Sequence, residues 1–151
     1  MSLETFLQQK GIRYEKHSHP VTYTAQALAD AEHVSGYMVA KPVVVTGPKG
    51  HAVCVLPAPR HLDLQKVAGA LGWPVAHLAT EEQMAALFPD CELGAEPPIG
   101  ALYGLPTVME QELEGDEFLV MQAGSHREAV KVNREDWQRA VKPIVAPIAA
   151  G

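Results

Sequence analysis

Three short segments of this sequence hold residues that could take part in a reaction. Lys41 opens the apolar run MVAKPVVV, where a strand gains nothing from a charge. Gly94 begins the turn-rich segment GAEPP, and His126 ends the segment AGSH. An ammonium group on a rigid strand can bind a phosphate or stabilise an oxyanion, and a glycine lets the backbone approach a substrate closely. Each segment also has a purely structural interpretation, as a lysine that extends to the surface and as two turns.

The seven histidines raise the alternative of a metal site. His17 and His19 would point the same way from a strand, but no second His or Cys pair has the spacing that completes a tetrahedral site. We therefore expect neither a metal nor a cofactor, and a metal hydrolase built on these two histidines stays an alternative. The sequence also lacks a G-x-S-x-G elbow and a strand-to-helix glycine motif for phosphate or dinucleotide.

The net charge of −6 over 151 residues argues against broad electrostatic binding of nucleic acid. A local basic cluster exists near the end of the chain, and composition favours a solvated face of the last helix over a nucleic-acid contact. Its members are Arg127, Lys131, Arg134, Arg139 and Lys142. No apolar run approaches the roughly 18 residues of a membrane span, so we expect a cytoplasmic protein with no membrane partner. Cys54 and Cys91 are predicted to be free thiols.

Hydrophobic periodicity and capping residues predict the elements that position these segments. The predicted helices are SLETFLQQKG, TAQALADAEH, LDLQKVAGALGW, TEEQMAAL and REDWQRAV, and the predicted strands are IRYEKHS, MVAKPVVV, HAVCVLPA, TVMEQEL, EFLVMQA and REAVKVN. The intervening segment PDCELGAEPPIGALYGLP is long for a loop, which favours an ordered and functional one. We expect the proline-containing tail to fray. The pattern predicts one mixed α/β domain spanning residues 1–151.

Taken together, the chemical segments resemble a known family. The carriers are the lysine of MVAKPVVV, the segment LDLQKVAGALGW, the GxxxP loop GAEPPIG followed by LPTVMEQEL, and AGSHREAVKV. In this order and at these separations they resemble the YbaK family of aminoacyl-tRNA deacylases, which includes the editing domain inserted in bacterial prolyl-tRNA synthetases. The resemblance covers nearly the whole chain. It implies a mixed α/β, α+β-like fold with a strongly bent, largely antiparallel sheet and flanking helices, in a freestanding domain.

The resemblance also implies an activity in trans, namely hydrolysis of the ester that joins a small mischarged amino acid to tRNA, with proline tRNA as the expected acceptor. Alanine is favoured because His126 matches a histidine of the prolyl-synthetase editing domains, and serine, cysteine and threonine are alternatives. The expected partners are the acceptor end of the mischarged tRNA and a synthetase that could deliver it, while the oligomeric state stays open. A non-catalytic module that binds aminoacyl-tRNA or a synthetase is the alternative function.

Site residues follow from the resemblance one by one. The predicted catalytic residues are Lys41, Gly94 and His126, and the predicted substrate-binding residues are Pro97, Pro98 and Ser125. No carboxylate stands out as a general base. The expected mechanism is therefore attack by a water held by backbone groups of the Gly94 loop, with help from the terminal hydroxyl of the tRNA.

Overall fold

The computed structural model describes residues 2–151, and the mixed α/β class predicted from the sequence is confirmed. The helices are α1 (Leu3–Gln9), α2 (Ala25–Ala31), α3 (Leu64–Leu71), α4 (Glu81–Leu87) and α5 (Arg134–Val141). The strands are β1 (Tyr14–Ser18), β2 (Ala40–Gly47), β3 (Gly50–Pro57), β4 (His77–Leu78), β5 (Thr107–Glu110), β6 (Phe118–Gln122), β7 (Glu128–Asn133) and β8 (Ile144–Ala146). Short 3₁₀ helices span Gly36–Met38, Gly100–Tyr103 and Gln111–Gly115.

The strands are divided between two sheets. A three-stranded sheet has the order β1-β7-β6, and a five-stranded sheet has the order β4-β2-β3-β5-β8. Most pairings are antiparallel, but β5 pairs in parallel with both β3 and β8. An isolated parallel bridge between Val39 and Val120 joins the two sheets. The start of β2 and the middle of β6 therefore lie side by side.

Successive side chains along a strand point to opposite faces of the sheet, and both faces of the five-stranded sheet are buried. One face packs against α1, α5 and the three-stranded sheet, through residues such as Val55, Met109 and Trp137. The opposite face packs against α3, through residues such as Leu56 and Val67. Within residues 2–151, no helix is both long and apolar enough to cross a membrane.

Four of the predicted helix starts are confirmed, because each depends on a local capping interaction, whereas α3 begins at Leu64, two residues later than predicted, with Asp63 as its N-cap. Ser2, Thr24 and Asn133 each accept a backbone N–H from the first turn of the following helix. Thr80 and Gln83 form the predicted capping box at the start of α4. These side chains satisfy donors that have no partner within the helix.

The tail after α5 is ordered, so the prediction that it frays is wrong. β8 forms the edge of the five-stranded sheet, and Ile148 beyond it is fully buried. The buried carboxylate of Glu110 accepts a hydrogen bond from the N–H of Ile148 at 3.1 Å. Pro143 and Pro147 flank β8 and lie outside it, where they interrupt no strand pairing. The predicted strand TVMEQEL is also shorter than expected, since it becomes a 3₁₀ helix at Gln111.

Candidate functional site

The GxxxP loop has a tightly determined backbone. Gly94 has a φ of +85°, which side-chain-bearing residues rarely adopt. Its N–H donates to Oε1 of Glu96 at 3.0 Å, and the N–H of Ala95 donates to the carbonyl of Glu92 at 3.0 Å. The Glu96 side chain is nearly inaccessible, with 3% exposure. The N–H groups of Gly94 and Ala95 are thus committed within the loop, which leaves neither of them to hold a water as the sequence-based mechanism expected.

A second loop, the 123–126 turn, is bound to the 92–96 loop by backbone hydrogen bonds. The N–H of Glu92 donates to the carbonyl of Gly124 at 2.9 Å, and the N–H of Gly124 donates to the carbonyl of Ala95 at 2.9 Å. The carboxylate of Glu92 also accepts the N–H of His126 at 3.2 Å. These bonds make the two loops one rigid unit, although about thirty residues separate them in sequence.

The ring of His126 lies directly against Gly94. A Cβ atom built on Gly94 would lie 3.6 Å from Cε1 of His126, an ordinary van der Waals distance. The ring is 5% exposed, and its Nε2 lies 2.7 Å from the carbonyl oxygen of Leu93. Because a carbonyl only accepts, Nε2 carries the proton of this hydrogen bond. In the neutral ring Nδ1 is then an acceptor, and this buried atom has no partner within residues 2–151.

The segment from residue 19 to residue 24, hereafter the 19–24 segment, runs alongside the histidine. The N–H of Thr22 donates to the carbonyl of His126 at 3.0 Å, and the N–H of His19 donates to the carbonyl of Arg127 at 2.9 Å. The ring of Tyr23 packs on the His126 ring with 4.9 Å between centroids. The 19–24 segment therefore forms one wall beside the histidine.

Four of the six buried, unpaired side-chain atoms found within residues 2–151 lie in the segments next to this histidine. Within residues 2–151, buried side-chain atoms with no hydrogen-bond partner include Nε2 of His19, Oγ1 of Thr22, Oε1 of Gln122 and Nδ1 of His126. All four belong to the 19–24 segment, the end of β6 or the 123–126 turn. Buried polar groups in folded proteins are normally paired, and clustered exceptions mark places where water or a ligand completes the bonding. This cluster therefore has the character of a binding site.

Lys41 lies at the head of β2, as predicted, and its ammonium is held by a turn. Nζ donates to the carbonyls of Ala58 and Arg60, with 3.2 Å to Ala58. Lys41 is half-buried, and desolvation lowers the pKa of its amine below the ordinary value. Within residues 2–151 it makes no hydrogen bond to the 92–96 loop or the 123–126 turn.

Strand geometry nevertheless places Lys41 on the same side as the end of β6. Val39 and Val120 pair across the bridge between the sheets, and both pack with Leu28 of α2. Side chains two residues apart on a strand point to the same side. Lys41 follows Val39 by two residues and Gln122 follows Val120 by two, so both side chains point to the side that Leu28 occupies. The structure thus brings Gly94 and His126 into contact and leaves Lys41 in a neighbouring group.

The other predicted site residues support the loops. Pro97 and Pro98 are buried, and the carbonyl of Pro97 accepts the N–H of Ile99 at 2.8 Å. Ser125 is half-buried, and its Oγ accepts the N–H of Arg127 at 3.3 Å, a local turn contact. None of the three makes a hydrogen bond to the His126 ring within the described part of the chain.

An open cavity of about 400 Å³ lies on the α4 side of the 92–96 loop. Phe88 and Met84 give it apolar walls, and Glu81, Glu82 and Glu96 add carboxylates. Leu93 and Glu96 connect it to the 92–96 loop, whereas Lys41, Gly94 and His126 do not line it. Its acidic lining makes it unsuited to phosphate groups.

The two histidines of the metal alternative have separate partners. Nδ1 of His17 lies 2.7 Å from the carboxylate of Glu32, and Nδ1 of His19 lies 2.7 Å from the carbonyl of Pro20. Over residues 2–151, no group of three His, Cys, Asp or Glu side chains is arranged to hold a metal ion. Cys54 and Cys91 are free thiols.

The basic cluster near the end of the chain is largely engaged in contacts within the protein. Lys131 lies over the ring of Phe118, with its Nζ 4.7 Å from the centroid. Arg134 donates to the carbonyl of Asp116 at 3.0 Å, and Arg139 pairs with Asp136. These contacts fit the interpretation of this cluster as a solvated face.

Sequence reasoning missed several residues around the histidine. Glu96 lies inside the GxxxP motif, where a buried carboxylate two residues after a glycine could have suggested an acceptor for its N–H. Tyr23 and Thr22 carry no comparable signal, because only the pairing of the 19–24 segment with residues 126 and 127 brings them to the site. The carbonyl partners of Lys41 likewise depend on the turn that follows β3.

Solved structures share this fold along nearly the whole chain. A protein provisionally described as a trans-editing enzyme for prolyl tRNA synthetase is 24% identical, with a TM-score of 0.88 over 99% of this chain and 95% of that chain. The hypothetical protein APE2540 is 18% identical, with a TM-score of 0.89 over 98% of this chain and 99% of that chain. A computationally designed scaffold with a grafted epitope is 22% identical, with a TM-score of 0.87 over 98% of this chain and 94% of that chain.

Among curated proteins, none matches the chain significantly. The family model for the aminoacyl-tRNA editing domain, however, matches residues 19–140. This range contains Lys41, the 92–96 loop and the 123–126 turn, so it spans every residue assigned above to the site. The chain therefore belongs to the aminoacyl-tRNA editing domain family.

Proposed function

We propose that this protein is a deacylase that acts in trans and hydrolyses the ester between a small mischarged amino acid and tRNA. Membership of the editing-domain family supports the reaction class. One observation carries the assignment of the site, namely the buried and unpaired Nδ1 of His126 beside Gly94. An acceptor atom in that position suits the hydroxyl or ammonium donors that an aminoacyl ester and its attacking water present.

The hydrolysis adds one water across the ester. The oxygen of the water bonds to the carbonyl carbon, the bond from that carbon to the ribose oxygen breaks, and the ribose oxygen leaves with a proton as a hydroxyl. The amino acid leaves with a carboxylate, and the second proton of the water passes to solvent. Nδ1 of His126 would accept a hydrogen bond from the attacking water or from the neighbouring ribose hydroxyl and so orient it. This role replaces the backbone N–H groups of Gly94 and Ala95, which bond within the loop.

The size of the amino acid is the second part of the proposal. A Cβ atom built on Gly94 would already contact His126 at 3.6 Å, so the two residues lie close together and favour a small substrate side chain beside them. Alanine has the smallest side chain of the four candidates, serine and cysteine add a single polar atom to it, and threonine is branched and larger. We therefore rank alanine first, then serine and cysteine, with threonine last. Proline tRNA is the proposed acceptor, following the family resemblance.

Lys41 has an electrostatic role in this proposal. An ammonium donates up to three hydrogen bonds, and the carbonyls of Ala58 and Arg60 accept two from Lys41. The remaining donor and the positive charge are suited to the ester carbonyl or the 3′-terminal phosphate. The charge of −6 implies that affinity for the rest of the tRNA is weak and sensitive to salt. A synthetase that delivers the tRNA is the proposed protein partner.

The test is a deacylation panel in which alanine, serine, cysteine and threonine are each carried by proline tRNA. Correctly charged prolyl-tRNA serves as the substrate that should be spared, and a sample without protein measures spontaneous hydrolysis. We expect alanine to be released fastest. Binding of the charged tRNA with no release of any amino acid above the blank would contradict the proposal and indicate a non-catalytic binding module.

A further inference from the structure

Three exposed apolar side chains, hereafter called the rim, lie on the segments that contact His126. The exposed fractions are 75% for Tyr23, 50% for Leu93 and 36% for Val21. Leu93 provides the carbonyl that accepts from the histidine ring, and Val21 and Tyr23 flank Thr22, whose N–H donates to the His126 carbonyl. Large apolar side chains exposed together beside buried, unpaired polar groups mark a surface that a ligand covers.

Tyr23 is held in a fixed position within this rim. Its ring packs on the His126 ring with 4.9 Å between centroids and 55° between planes. Thr22 on one side is tied to the His126 carbonyl, and Thr24 on the other side caps α2 by accepting the N–H of Ala27 at 3.0 Å. The backbone on both sides of Tyr23 is therefore anchored, and the tyrosine presents a preformed aromatic surface to solvent.

We infer that Tyr23, with Val21 and Leu93 at its margins, is the binding site for an unstacked nucleobase, the base of the nucleotide that carries the ester. The inference rests on the proposed function and extends it. Single-stranded RNA bases bind proteins by stacking on aromatic side chains, and stacking does not depend on positive charge. A stacking site explains how an acidic protein could hold an RNA end.

The position of Tyr23 fits the terminal base. That base is attached to the same ribose as the ester, so its site must lie within one nucleotide of the reacting carbonyl. Tyr23 meets this requirement because it touches His126, which in turn lies against Gly94. A small amino-acid side chain could not cover a ring that is 75% exposed, which makes the base the better occupant.

The direct test is a fluorescence measurement with an RNA minihelix that carries 2-aminopurine as its 3′-terminal base and a non-hydrolysable alanyl amide. We expect the wild type and Tyr23→Phe to quench the probe on binding, and Tyr23→Ala to bind without quenching. Tyr37→Ala is the matched control, since Tyr37 is also exposed, at 45%, but packs near Arg60. It should quench like the wild type. Equal quenching by Tyr23→Ala and the wild type would overturn the inference.

A kinetic cycle separates base binding from a merely structural role of Tyr23. Alanine release is measured from a normal minihelix and from one whose terminal nucleotide lacks its base. Tyr23→Ala should lower kcat/KM about tenfold on the normal substrate, the effect of losing one base stack, and should have no further effect on the abasic one. Equal losses on both substrates would mean that Tyr23 only supports His126, which contradicts the inference. If the wild type releases no alanine, the proposed function fails, while quenching still tests Tyr23.

Discussion

The two neighbouring parts of the site differ in how their polar groups are satisfied. On the lysine side, comprising Lys41, the turn at residues 58–60 and Glu112, each charged group has a partner. Lys41 donates to two carbonyls, and Arg60 binds Glu112 through two hydrogen bonds of 2.9 Å. On the histidine side, comprising the 19–24 segment, the 92–96 loop and the 123–126 turn, buried polar atoms lack partners within residues 2–151.

The family resemblance places Lys41 and His126 in one site. The difference in bonding suggests that the two residues have separate roles in it. On the lysine side two of the three donors of the Lys41 ammonium are bonded to fixed carbonyls, so this side can present a positive charge in a fixed place. The histidine side holds its backbone rigidly but leaves side-chain acceptors open, which is the condition expected where a substrate supplies the missing donors. We therefore propose that the reacting ester binds on the histidine side and that the lysine side provides electrostatic support.

The largest expected loss comes from His126→Phe. The variant keeps a ring against Gly94 and Tyr23 but removes both nitrogens, so it should lower the deacylation rate by about 10²–10⁴-fold. The carbonyl of Leu93 loses its donor, which should lower the free energy of unfolding by roughly 1 kcal/mol. Single-turnover release of alanine and chemical unfolding measure the two effects. His61→Ala, at an exposed histidine, is the control. Near-normal release by His126→Phe would move the reaction away from the histidine side.

Lys41→Met should have the next largest effect, because it removes the ammonium group of the lysine side. We expect deacylation to fall about 10²-fold from the lost charge. Stability should fall by about 1–2 kcal/mol as the carbonyls of Ala58 and Arg60 lose their donor. Lys66→Met is the matched control, since Lys66 also donates to a backbone carbonyl, that of Ala149 at 3.0 Å. Lower stability with unchanged deacylation would reduce Lys41 to a structural residue.

The same lysine predicts a pH dependence. Burial lowers the pKa of Lys41, so its amine loses its proton at a lower pH than an exposed lysine does. Catalysis that needs the ammonium is complete below this pKa and declines as the pH rises through it. Lys41→Arg keeps its charge, so the decline should be absent from whatever activity that variant retains. A pH profile of enzymatic release, corrected for spontaneous hydrolysis, provides the comparison, and identical alkaline limbs would contradict the role.

Gly94→Ala tests whether Gly94 only shapes a turn or also belongs to the reaction site. The new methyl group would lie 3.6 Å from Cε1 of His126, against the ring proposed to orient the attacking water, and should lower deacylation about 10²-fold. Gly72→Ala is the matched control, because Gly72 has a similar φ of +70° and open space around it. Both variants should lose roughly 1 kcal/mol of stability from backbone strain. The prediction fails if their activities, measured at a temperature where both are folded, fall equally.

The smallest effect is expected at Cys91, which lies near the 123–126 turn but has no proposed role. Burial is the main cause that raises the pKa of Cys91 to about 11, and its Sγ lies 3.1 Å from the hydroxyl of Tyr103. The thiol is therefore protonated near neutral pH and should alkylate slowly. Cys91→Ser should retain activity within about twofold. Fast alkylation at pH 7.5 that abolishes alanine release would place the thiol in the reaction.

Local signals in the sequence predicted much of the fold. The capping residues Thr80 and Asn133 act within one helical turn, so the starts of α4 and α5 could be predicted without tertiary information. The strand β8 could not be predicted, because three residues between two prolines become a strand only through parallel pairing with β5. Non-local pairing of this kind leaves no periodic pattern in the chain.

The candidate site could likewise be predicted only in part. Gly94 and His126 could be predicted because they lie in short motifs, and the structure places them in contact. Sequence reasoning could not predict two sets of hydrogen bonds. These are the bond from the Gly94 N–H to Glu96 and the bonds from Lys41 to the carbonyls of Ala58 and Arg60. Those bonds depend on side-chain directions in loops, which the order of residue types does not determine.

The most direct test of the central claim follows alanine release from alanyl-proline tRNA by the wild type and His126→Phe, with a metal chelator present throughout. The proposed reaction takes place on the histidine side without a metal. We therefore predict that the wild type releases alanine well above the protein-free rate and that His126→Phe releases it at least about 100-fold more slowly. Equal rates for the two proteins, or release by the wild type only after zinc is added, would contradict it.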